Sequence, residues 1–429
     1  MLLIKGGHVI DPSCGLDGMY DVLTAEGKIA AIAKELNEDD YPGIRVINAK
    51  GMVVAPGLVD VHSHFREPGF TDKETISSGA AAAAAGGYTS IVCMANTEPA
   101  VDNVRTLNYI KARFEEEEIH LYQDAAVTVG RAGEKLVDMG MLKKAVAVGF
   151  TDDGTAITDG RIVADAMKEA GLLKIPLSFH EEDPEYVHDA GINAGEEAKK
   201  LGLEGASREA EIEMVKRDLK MALKTGAVID IQHVSAAETV DLIRKAKKKY
   251  ASLIIHAEAT PHHFSLTEDA IEEYGTNAKV NPPLRTEADR KAIIEGILDG
   301  TLDLIATDHA PHTAEEKARL FKKAPSGMIG LETALALGIT KLVKPVYINM
   351  MTLIRAMSTA PAELYMLPAG TIRNGKAADI VIFSPSEVQI ISKFRSKAVN
   401  SPFIGSTLIG KVHYTIVSGK IVYSGREGI

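Results

Sequence analysis

Two cysteines in 429 residues, Cys14 and Cys93, are too few and too far apart to build a disulfide framework. The chain is therefore expected in a reducing compartment, the cytoplasm, with Cys93 filling a core. Long hydrophobic runs are missing too: no uninterrupted apolar stretch approaches the roughly 18 residues that a membrane span needs, so no membrane role is expected. The opening Met1-Leu2-Leu3-Ile4-Lys5-Gly6-Gly7 has too short an apolar run for a secretory signal. Basic charge is also scarce, with 48 Lys and Arg against 59 Asp and Glu, a formal net charge of -11 and a pI near 5.7. Nucleic-acid binding needs a basic face, so this balance argues against a nucleic-acid partner. An anionic small molecule would have to be held by local cations rather than by a global field. The Lys247-Lys248-Lys249 run closes a predicted helix and suits the negative end of its dipole.

What remains is an ordinary globular composition, 45% hydrophobic and 25% charged, long enough for a barrel of about 250 residues plus an accessory module. After Pro56-Gly57 short apolar runs alternate with longer helical patterns, the rhythm of parallel βα units. The runs are Leu58 to Val61, Thr89 to Cys93, Leu121 to Val127, Ala145 to Phe150, Ile175 to Phe179, Val228 to Ile231, Leu253 to Ile255 and Leu302 to Ala306. Eight runs predict a closed (β/α)8 TIM-like barrel over residues 56–365. The helices between them are expected near Glu74–Ala85, Asn103–Glu118, Asp159–Ala170, Glu209–Lys224, Ala236–Lys249 and Thr286–Leu298. Both ends read as strand and turn: Leu2 to Val9 and Asp21 to Ile32, then Gly370-Thr371-Ile372, Asp379 to Phe383, His413 to Val417 and Ile421 to Tyr423. Neither end holds enough apolar surface alone, so residues 1–55 and 366–429 are expected to combine into one small β-sandwich module. The charged stretch Thr313 to Ala324 fits either a mobile lid or a solvated surface helix.

In such a barrel the chemistry sits at the carboxyl ends of the strands, so the residues that follow each run are diagnostic. His62 and His64 follow the first run, Asn96 the second, Asp152 and Asp153 the fourth, His180 the fifth, His233 the sixth and Asp308 the eighth. Strand alternation puts His62 and His64 on one face, about 6 to 7 Å apart along the chain, with Arg66 next on that face if the strand persists. Four imidazoles and two carboxylates exceed the three protein ligands of a mononuclear catalytic zinc, and a carboxylate can bridge two ions. Nitrogen and carboxylate donors without cysteine suit Zn²⁺, two per chain, with Mn²⁺, Co²⁺ or Fe²⁺ as alternatives.

The motifs His62-Ser63-His64-Phe65-Arg66-Glu67-Pro68-Gly69, Asn96-Thr97, Phe150-Thr151-Asp152-Asp153-Gly154, Gln232-His233-Val234-Ser235 and Asp308-His309-Ala310-Pro311-His312 closely resemble the amidohydrolase superfamily. Within it they resemble the bacterial type I dihydroorotases, over nearly the whole chain. The resemblance implies that His62, His64 and Asp308 hold one metal, His180 and His233 the other, and that Asp153 bridges them, with Asp152 as its competitor. Many relatives are expected to bridge with a carboxylated lysine after the fourth strand. Here Lys143 and Lys144 precede that strand, at the wrong end.

The activity so implied is the interconversion of N-carbamoyl-aspartate and dihydroorotate in pyrimidine biosynthesis, with Asp308 as the base that returns a proton to the departing nitrogen. Arg66 would clamp the substrate carboxylate, helped by His64, Asn96 and His312; Asn281 and the backbone of Ser326-Gly327 would meet the ring. The other cyclic amidases, allantoinase and hydantoinase, and a non-catalytic scaffold are the rival readings. His309 should point away from Asp308, and His263 is expected to be structural. Members of the family are often dimers and some associate with aspartate transcarbamoylase; no segment of this sequence encodes either.

Overall fold

A computed structural model describes residues 1–250 and 254–425. The chain opens with β1 (Leu2–Asp11), β2 (Leu16–Ala25), β3 (Lys28–Ala33), β4 (Arg45–Asn48) and β5 (Val53–Pro56). Seven parallel strands follow: β6 (Leu58–Ser63), β7 (Tyr88–Cys93), β8 (His120–Gln123), β9 (Leu177–Phe179), β10 (Ile229–Ile231), β11 (Ile255–Ala259) and β12 (Leu304–Ile305). The last three are β13 (Ile380–Ile390), β14 (Thr407–Val417) and β15 (Lys420–Ser424).

The barrel strands form two arcs, β6-β7-β8 and β9-β10-β11-β12. Single parallel bridges join them at both seams, Ala125–Phe150–Leu177 on one side and Ser63–His309 on the other. Asp60 reinforces the second seam, accepting hydrogen bonds from the Thr307 amide (2.9 Å) and hydroxyl (2.6 Å). The expected fourth strand, Ala145 to Phe150, is corrected to this single-residue link. The helix Met139–Lys144 runs into its start, Val146 turns with a φ of 72°, and the paired part shrinks to Phe150. The expected seventh strand starts at Leu253, outside the described residues, and β11 continues to Ala259. His256 and Glu258 interrupt its apolar run, and the fold satisfies them with Asp303 (2.7 Å) and His62 (2.9 Å).

Four of the six outer helices carry side-chain caps at their starts. Thr75, Asn103, Asp159 and Thr286 accept from backbone amides at the starts of Ile76–Gly86, Val104–Phe114, Gly160–Leu173 and Glu287–Asp299. Glu209–Thr225 and Ala237–Lys249 bury the faces set by Val215 and Leu219, and by Val240 and Ile243.

The two chain ends share one mixed eight-stranded sheet, in the order β15-β14-β13-β5-β1-β2-β3 with β4 on β1. Gly370-Thr371-Ile372, expected as a strand, instead docks on a side chain: the buried Asp11 carboxylate accepts from the Ile372 amide (2.7 Å) and the Thr371 hydroxyl (3.1 Å). No helix among the described residues is long and apolar enough to cross a membrane.

Candidate metal centre and its pocket

The six expected ligands come from five strand ends to one buried point, His62 and His64 sharing β6. His62 lies fully buried, and its Nδ1–H donates to Glu258 Oε2 at 2.9 Å. Its Nε2 faces inward without a hydrogen-bond partner, 3.3 Å from Asp153 Oδ1 and 3.6 Å from Asp308 Oδ1. His64 Nδ1–H donates to Asn96 Oδ1 at 2.9 Å, leaving Nε2 3.1 Å from Asp308 Oδ1 and 3.5 Å from Asp153 Oδ2. His180 Nδ1 and His233 Nε2 stand 2.9 Å apart, each 3.7 Å from Asp153 Oδ1. The outer nitrogen of His180 lies 3.5 Å from Glu182.

A neutral imidazole has one N–H, and for His62 and His64 it is committed outward, so bare lone pairs converge on the carboxylates inside. Such an assembly suits a cation. The donor atoms of His62, His64 and Asp153 lie within 4.8 Å of one another, as do those of Asp153, His180 and His233, so Asp153 belongs to both sets. The residues present therefore fit a metal ion in either of two overlapping donor groups.

Asp152 is placed elsewhere. Its carboxylate accepts from the amides of Val127 (2.8 Å) and Thr128 (3.1 Å) and from the Thr128 hydroxyl, so it braces the third strand's loop. Burial raises the Asp153 carboxyl, but His62, His233 and His64 outweigh it and hold the group well below the usual range. The same contest, won by His64, His62 and His233, keeps Asp308 ionised. Arg66, His233 and Asp308 all adopt positive φ, at 61°, 34° and 46°. This conformation is strained for side-chain-bearing residues and re-aims each of them after its strand.

Above the ligands lies a pocket of about 290 Å³ whose walls include His64, Arg66, Asn96, Asp153, His180, His233, Asn281, Asp308, His312, Ser326 and Gly327. His62 lies outside this lining. Arg66 spends Nε on the Pro311 carbonyl (3.3 Å) and makes no ion pair among the described residues, so the rest of its fork is open. Burial pulls its pKa down to about 10, which leaves it cationic at neutral pH. Asn96, expected on the substrate carboxylate, uses both ends of its amide on ligands, accepting from His64 and donating to Asp153 (3.2 Å). His312 donates through Nε2 to the Ser326 carbonyl (2.9 Å), with Lys73 Nζ 3.4 Å from Nδ1. Asn281 accepts from the Ser326 hydroxyl (2.9 Å). At Gly327, with φ 131°, a Cβ would come within 2.7 Å of Ala310 Cβ, so only glycine leaves this wall in place.

Residues 51–239 match the family described as Dihydro-orotase-like. Over 424 residues, 99% of this chain and all of the relative, the sequence is 55% identical to a dihydroorotase of Clostridioides difficile (strain 630). It is 51% identical over 428 residues, with the same coverage, to a dihydroorotase of Clostridium acetobutylicum. The chain belongs to the dihydroorotase family. Among solved structures, the L-hydantoinase of Arthrobacter aurescens superposes with a TM-score of 0.89 at 23% identity, covering all of this chain and 97% of that one. That likeness concerns the fold and supports the TIM-like barrel.

Several residues of this dihydroorotase-family site escape sequence reasoning. Glu258 holds His62 from β11, and a carboxylate inside a barrel strand was its signal. Arg131 donates to the carbonyls of Asp152 and Asp153 and fixes the turn between them; nothing in the sequence marks it. Two further histidines have partners of their own: His263 bonds Thr260 (2.8 Å) and the Pro282 carbonyl (3.0 Å), and His309 faces Glu74 (3.3 Å), away from Asp308.

Proposed function

We propose that this pocket interconverts N-carbamoyl-L-aspartate and L-dihydroorotate, the reversible ring closure of de novo pyrimidine biosynthesis, acting as a metal-dependent cyclic amide hydrolase. One observation carries the reading: the open Arg66 fork stands over a buried set of imidazoles and carboxylates in a chain 55% identical to a dihydroorotase end to end. The donor set supports two Zn²⁺ ions, one held by His62, His64 and Asp308, the other by His180 and His233, with Asp153 shared. When bound, such ions polarise a carbonyl and make water nucleophilic at neutral pH.

The protein's own groups would do the rest. In the hydrolytic direction Asp308 takes the proton of the attacking water, and the ring C–N bond breaks as that proton passes to the departing nitrogen. Its depressed pKa keeps it in the basic form before the step. Arg66 pairs with the substrate carboxylate, and its planar fork fixes the orientation. His312 and the side chain of Asn96 border the same end, while Asn281, Ser326 and Gly327 border the ring. The Asn96 amide also holds His64 against rotation.

Turnover of dihydroorotate, measured before and after dialysis against a chelator, tests the reading. Activity should vanish on dialysis and return with Zn²⁺, at about two ions per chain by elemental analysis. Turnover of hydantoin or allantoin without dihydroorotate would overturn the substrate. Less than one ion per chain, with no activity after adding metal, would favour a binding scaffold. The division into a barrel of residues 56–365 and a module of 1–55 plus 366–429, a cytoplasmic location, a homodimer and an association with aspartate transcarbamoylase belong to the same proposal. Gel filtration alone and with the transferase tests the last two.

A further inference from the structure

The segment after His312 leaves the pocket wall and returns to it at Ser326, and Leu320 within it is 79% exposed. Its inner face is gripped by two lysines that the reaction above does not use. Lys279, 3% exposed, donates through Nζ to the carbonyls of Phe321 and Ala324, both at 2.7 Å. Lys317, 6% exposed, donates to the carbonyls of Pro325 (3.0 Å) and Gly327 (2.9 Å). Neither ammonium makes an ion pair among the described residues. Burying a cation without a carboxylate is costly, and an apolar side chain would fill the same space more stably.

The placement of the four carbonyls suggests what they do. A trans peptide points its C=O and N–H in opposite directions. With the Pro325 carbonyl turned onto Lys317, the Ser326 N–H faces the other side, where Ser326 borders the substrate pocket and Lys317 does not. Among the described residues that N–H has no acceptor. The next peptide is fixed as well, since the Ser326 carbonyl accepts from His312 and the Gly327 amide donates to the Lys279 carbonyl at 2.8 Å.

We propose that Lys279 and Lys317 are positioning residues of the substrate pocket, which clamp the 313–327 segment from behind and hold the Ser326 amide as a donor to an oxygen of the anionic substrate. The inference rests on the pocket being the dihydroorotate site. The lysines act through a backbone dipole, so they raise affinity without touching the ligand.

The test uses full-length, metal-loaded enzyme. Wild-type turnover of dihydroorotate and metal content come first, because their absence would sink the functional reading and not this one. Lys317→Met should raise KM for dihydroorotate at least tenfold, with kcat within threefold of wild type and metal content unchanged. Lys279→Met should do the same and expose the segment to protease near Leu320. Ser326→Pro removes the donor itself, so it should raise KM similarly, and adding Lys317→Met to it should change KM by less than twofold. KM within threefold of wild type in the folded lysine variants would overturn the proposal, as would a multiplicative double variant. If neither lysine variant folds, an unchanged KM in Ser326→Pro overturns it.

Discussion

At the level of single residues, the site is defined by which face of each imidazole is spoken for. His62 and His64 commit their outer nitrogens to Glu258 and Asn96, so their inner nitrogens are left facing the Asp153 and Asp308 carboxylates. Asp308 sits between two roles, near both imidazoles and at the pocket wall. Asp308→Asn should therefore retain metal at least partly while kcat falls by roughly 10²- to 10⁴-fold. Elemental analysis and steady-state rates read the two effects separately, and a near-normal rate would remove Asp308 as the base. Lys317 carries a different signature. Burial, helped by Lys279, lowers its amine from 10.5 to about 7. The unfolded chain then holds the extra proton between about pH 7 and 10.5, so this group's cost to stability is full below 7 and is relieved as the pH rises. Urea midpoints at pH 7 and pH 9 should show a gain in wild type that is smaller in Lys317→Met.

Among the elements, the helices were legible and the short strands were not. Helix starts write their own signals, as at Thr75, Asn103 and Thr286, and an amphipathic face spans enough residues to stand above chance. A barrel strand of three to six residues is buried on both faces and carries no alternation to read. The fourth run looked like a strand because it is apolar, yet Phe150 alone completes the bridges. What this link delivers depends on Asp152, which ties it to Val127 and Thr128 and leaves Asp153 to face the imidazoles. Asp152→Ala should lower stability by about 3 kcal/mol, as expected for buried amides losing a charged acceptor. Metal content should fall with it, because the turn that aims Asp153 loses its brace. Denaturant titration and elemental analysis of the same preparation would show both.

Across the whole molecule, one sheet gathers both ends of the chain, and β5 leads directly into β6, the strand that carries His62. The Asp11 carboxylate fastens the two ends together, bonding Ile372 and Thr371 some 360 residues away. Asp11→Ala should cost roughly 2 to 3 kcal/mol in urea unfolding through the stranded Ile372 amide. The folded fraction should keep kcat within twofold, because no pocket residue touches that clasp. A large loss of kcat at unchanged metal content would show that the sheet sets the geometry of β6.

The candidate ligands, their order after the apolar runs and the basic group beside them were legible in the chain alone, since residue type and position after a strand are local properties. Folding in three dimensions decided which of two adjacent aspartates faces the imidazoles, because that depends on the donors each carboxylate finds across the barrel. It also decided that Glu258 holds His62 and that Arg131 bonds the carbonyls of Asp152 and Asp153. Glu258 meets His62 across 196 residues and Arg131 reaches its carbonyls across 21 and 22, and a contact at such separation leaves no periodic trace in a sequence.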